Sequence, residues 1–83
     1  MQKLKHYIQL EKKNGYEIMN AYSAIHGPGI ANYEQDCVVL NQKFISGEIE
    51  SFNENDLIGV LYHEIGHLKY FKEYPMLFVN LST

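Results

Sequence analysis

This 83-residue chain is predicted to adopt an α+β fold: an N-terminal helix, a small antiparallel sheet, and a helix carrying H-E-x-x-H packed on that sheet. Three observations predict it. Apolar residues recur at helical spacing in residues 2–13 and again in residues 53–73. Two runs rich in aromatic and β-branched residues lie between them, and turn-forming residues separate all four stretches. The length suits one small domain, residues 1–83, burying a modest fraction of its surface, and a bound metal would help a core of that size.

The first helix places Leu4, Tyr7 and Ile8 on one face, sets His6 among surface charges, and stops at Asn14-Gly15. Residues 16–25 read as a strand, and His26-Gly27-Pro28-Gly29 as the turn after it. Residues 36–45 read as a second strand with Val38, Leu40 and Phe44 on its buried face, antiparallel to the first. Ser46-Gly47-Glu48 turns the chain toward the last helix. There Asn53 is placed to cap, Asp56 takes the third helical position of a capping box, and Phe52 and Leu57 can staple across the start. Lys69 and Lys72 suit the negative end of the helix dipole, and Pro75 stops the helix. The apolar tail beyond Pro75 suits either a strand or a docked coil.

The chemistry is concentrated in His63-Glu64-Ile65-Gly66-His67. At roughly 100° per residue, side chains four apart lie one turn along a helix and nearly one above the other. Two imidazoles so placed can close on one Zn²⁺ ion at about 2.0–2.1 Å. Glu64 projects about 100° round from His63, where it can reach a zinc-bound water without being a ligand. On the helical wheel Leu57, Ile58, Leu61, Ile65 and Leu68 form the core arc. Asp56, Gly59, His63, His67 and Tyr70 form a second stripe away from it. Gly59 costs about 1 kcal/mol in a helix relative to alanine, so it implies room for substrate or for a close-packed strand.

Composition excludes several classes. Net charge is −3 with no basic cluster, which argues against nucleic acid and anionic membranes as partners. A lone Cys37 rules out an internal disulfide framework and fits a reducing compartment. Lys3, Lys5 and His6 interrupt any signal-like apolar run, and no segment is long enough to span a bilayer, so a soluble cytoplasmic protein is expected.

Taken together, Asn20-Ala21-Tyr22-Ser23, Cys37-Val38-Val39-Leu40-Asn41 and Asn55-Asp56-Leu57…Tyr62-His63-Glu64-Ile65-Gly66-His67-Leu68 resemble the gluzincin zinc metallopeptidases. The nearest likeness is to the M48-like peptidases, the single-domain minigluzincins and the ImmA/IrrE-type metallopeptidases often found with phages. It covers roughly residues 16–72, with the H-E-x-x-H segment as its specific part. The resemblance implies zinc on His63 and His67, Glu64 as general base, and a peptide or protein substrate. It also implies an edge strand, residues 36–44, that holds the substrate in extended form by strand addition.

Gluzincins draw a third ligand, a glutamate, from a later helix, and Glu73 is the acidic residue after His67. On a continuous helix it points about 240° from His67, so it would ligate only if the helix broke near Tyr70. Cys37 and His26 are the upstream alternatives. A glycine-rich loop, then Cys37, then H-E-x-x-H faintly resembles peptide deformylase, but Gln35-Asp36 precede the cysteine in place of the Glu-Gly of that pattern. Tyr70, Tyr22 or Tyr33 could steady an oxyanion. The expected function is hydrolysis of peptide bonds by a zinc metallopeptidase, the alternative a non-catalytic zincin-like binding module with a degenerate metal site. A small structural domain with a fortuitous motif is the third reading.

Overall fold

The computed structural model describes residues 1–22 and 26–74. The expected strand end at 23–25 and the tail from Pro75 on lie outside the described residues. The order of elements is α1 (Gln2–Lys13), β1 (Glu17–Ala21), β2 (Gly29–Asn32), β3 (Cys37–Asn41), α2 (Gln42–Ile45) and α3 (Glu54–Glu73). This is the predicted α+β arrangement, with α3 packed on the sheet.

Local chemistry explains the helix ends. After α1, Gly15 takes φ +101°, and the amides of Gly15 and Tyr16 donate to the carbonyls of Lys12 and Glu11 at 3.1 and 3.0 Å. That pair of bonds is a Schellman cap, which glycine adopts without steric cost. At the start of α3 the capping box forms as predicted: Asp56 N donates to Asn53 Oδ1 and Asn53 N to Asp56 Oδ2, both at 2.9 Å. Phe52, just ahead of the cap, packs on the core and meets Phe44 edge-on.

The sheet differs from expectation in four ways. It is mixed, with strand order β1-β3-β2: β1 pairs with β3 in parallel, and β2 pairs with β3 antiparallel. The stretch read as a turn is followed directly by a strand, β2, so the hairpin turn falls at residues 33–36 instead. There Gln35 N donates to Asn32 Oδ1, and Asp36 takes φ 54°. Inserting β2 reverses the chain once more, which makes β1 and β3 parallel. Residues 42–45 leave the strand because Asn41 caps α2, its Oδ1 accepting from Lys43 N at 3.0 Å. Finally, β3 is the central strand, with Cys37, Val38, Leu40 and Asn41 all buried, so residues 36–44 are not an edge. Among the described residues the outer strands of the sheet are β1 and β2.

The core lies between the sheet and the helices. Leu57, Leu61, Ile65 and Leu68 of α3 meet Val38, Leu40, Ile18 and Leu4. Helix α1 runs beside α3 in the same direction. Glu54 Oε2 accepts from Leu4 N at 3.1 Å near one end, and Tyr62 donates its hydroxyl to Glu11 Oε2 at 2.8 Å further along. Desolvation, then the hydrogen bond to Glu11 and its negative charge, push the Tyr62 phenol up to about 12. A phenol whose pKa is raised on folding favours the native state below its unfolded value near 10. That contribution is lost as pH climbs through the folded value. Tyr62→Phe should therefore lower stability by about 1 kcal/mol at neutral pH. It should also flatten the loss of stability above about pH 10, as read by denaturant melts across pH.

Candidate metal centre

Helix α3 presents its motif as the wheel predicted. Asp56, Gly59, His63, His67 and Tyr70 are all exposed, while Leu57, Leu61, Ile65 and Leu68 of the opposite arc are buried and Ile58 is half-buried at its border. Side chains four apart on a helix lean toward the same patch, and here the ring nitrogens converge. His63 Nε2 and His67 Nε2 are 3.0 Å apart, with the rings nearly perpendicular at 88°. Without an ion this contact is a hydrogen bond from one Nε2–H to the lone pair of the other. Two bonds of about 2.0–2.1 Å meeting at a tetrahedral angle would set the nitrogens about 3.3 Å apart, a few tenths of an ångström more. The pair therefore fits a shared zinc ion.

Glu64 lies one residue round the helix, partly buried, and lines an open cleft of about 540 Å³ together with His63. The other walls are Pro28 and Gly29 at the start of β2, Phe52 ahead of α3, and Asn55, Asp56, Gly59 and Val60 along it. Edge strand β2 thus forms the rim facing the motif. A Cβ on Gly29 would sit 2.9 Å from Val60 Cγ1 and 3.1 Å from Leu40 Cδ2, so glycine lets β2 close on α3. Valine is stiff at χ1 in a helix and cannot give way cheaply. Gly29→Ala should cost about 1–3 kcal/mol by overpacking, measurable as a lowered urea midpoint. Among the described residues a Cβ on Gly59 would meet nothing within 4 Å, so of the two reasons proposed for that glycine, open space in the cleft is the one the structure supports. A hollow of similar size lies on α1, near His6, Leu10 and Lys13, and among the described residues its lining comes from that helix.

No protein-family model, curated protein or solved structure matches this chain. Among the described residues no group of three or more His, Cys, Asp or Glu is placed to hold a metal ion. Residues 23–25 and 75–83 contain none of these four types. Each candidate for the third ligand falls short for a visible reason. Helix α3 runs unbroken to Glu73, which leaves that carboxylate exposed and turned from the pair. Cys37 is buried in β3, and burial, then the charges of Glu17 and Asp36, push its thiol up, away from the thiolate a metal needs. His26 is exposed and does not join His63 and His67 in a metal-holding group. Of the tyrosines, Tyr70 shares the histidine stripe and meets Tyr74 at a tilt of 44°, Tyr33 lies against Phe71, and Tyr22 is exposed just past β1.

The residues missed from sequence are the cleft walls contributed by β2. Their signal was Gly29 itself, a glycine flanked by Pro28 and Ile30 where a strand must pass close to a helix.

Proposed function

We propose that this chain is a zinc-dependent peptide hydrolase in which His63 and His67 hold the metal and Glu64 is the general base. The observation that carries this reading is the 3.0 Å approach of the two Nε2 atoms on an exposed helix face, with Glu64 beside them at the cleft. Bound zinc would supply Lewis acidity, polarising a carbonyl and lowering the pKa of water. Glu64 takes the proton of the attacking water and returns it to the leaving amine. The rim strand β2 offers main-chain donors and acceptors to an extended peptide lying antiparallel or parallel to it. The cleft walls include Asp56 and Glu64 and no lysine or arginine, which favours neutral or basic peptides. Among the described residues no helix is long and apolar enough to cross a membrane.

A second reading is favoured by the donor count: a non-catalytic binding module that keeps the motif with an incomplete ligand set. Cleavage of a mixed peptide library by zinc-loaded protein separates the two. Hydrolysis abolished by a chelator and restored by zinc supports the enzyme. Zinc binding with an intact library supports the module.

A further inference from the structure

A closed zinc site takes four donors, and the described residues of one chain bring two imidazoles together. These two sit on an exposed helix face. Beside them the helix carries two glycines: Gly59 and Gly66 lie on the same flank, about 40° and 60° round from His63, and among the described residues a Cβ on either would meet nothing within 4 Å. Each glycine costs the helix about 1 kcal/mol relative to alanine, and together they leave room for a second helix to come close. A second copy brings the same pair in the same 3.0 Å geometry.

We propose that a second copy of this chain completes the metal site. Two α3 helices cross about a two-fold axis, and His63 and His67 from each hold one zinc ion with four imidazoles. Such a self-complementary contact is closed by symmetry and goes no further than a dimer. Each chain carries a net charge of −3, so the copies repel until the cation draws them together. The proposal rests on the reading that His63 and His67 hold the metal, and it adds a partner and a control. Four imidazoles leave no position for substrate, so the zinc-bridged dimer is a resting form and its separation exposes the site.

Native mass spectrometry and sedimentation, with zinc and with chelator, test this directly. The expected result is a species of twice the 9.7 kDa chain mass carrying one zinc per two chains, reverting to monomer with chelator. His63→Ala and His67→Ala should stay monomeric, with helical circular dichroism in chelator matching the parent. His6→Ala and His26→Ala should keep the dimer. Cobalt in place of zinc should give the intense visible bands of a four-coordinate ion only in the dimer. A monomer holding one zinc per chain would overturn the proposal and leave the hydrolase reading standing. Protein that takes up no zinc would overturn both, and a zinc dimer that persists in His63→Ala would overturn the bridge.

Discussion

Glu64→Gln should leave zinc uptake intact while peptide hydrolysis falls by about 10²–10⁴-fold, the usual worth of general-base assistance. Glutamine keeps the length and helix propensity of glutamate but cannot accept the proton. The geometry separates the roles: the two imidazoles meet each other, while Glu64 lies on the cleft side of the helix with Val60 and His63. Zinc stoichiometry and peptide cleavage measured on parent and variant check the split. If Glu64→Gln loses zinc along with activity, the carboxylate is a ligand and the assignment is wrong.

Leu61→Ala should lower stability by about 2–5 kcal/mol. Leu61 is fully buried on α3, and the cavity it leaves would open against Val38 and Leu40 of the central strand. A domain this small has few kcal/mol to lose. About 4–8 °C per kcal/mol is expected for its size, so a thermal melt should show a fall of roughly 10 °C or more. A shift within error would mean that α3 does not present this face to the sheet, and the orientation of the histidines would fall with it.

Helix α3 was legible because everything that defines it is local. Asn53 and Asp56 are three apart, the apolar arc recurs every turn, and His63 and His67 are separated by one turn. Helix α1 ends at Asn14-Gly15 for the same kind of reason. The sheet was only half legible. Two of its strands showed as β-rich runs, but β2 is four residues long and begins at a glycine, too short to establish an alternating pattern. Missing it changed the direction of β1 against β3 and placed an edge where the centre lies. Asn41 does both jobs: it is the last paired residue of β3, opposite Ala21, and its Oδ1 accepts from Lys43 N to start α2, so the strand ends where the cap begins. The histidine pair was therefore visible from spacing alone, while the cleft beside it needed a strand contact that only folding supplies.

The proposed hydrolase and the proposed dimer both require His63 and His67 to act as a metal-holding pair. Metal content tests it most directly: the purified protein is loaded with zinc, dialysed free of excess, and analysed beside His63→Ala treated identically. About 0.5–1 zinc per chain in the parent, depending on how many chains share an ion, and next to none in the variant is the predicted result. Equal zinc in both, or none in the parent, would contradict it.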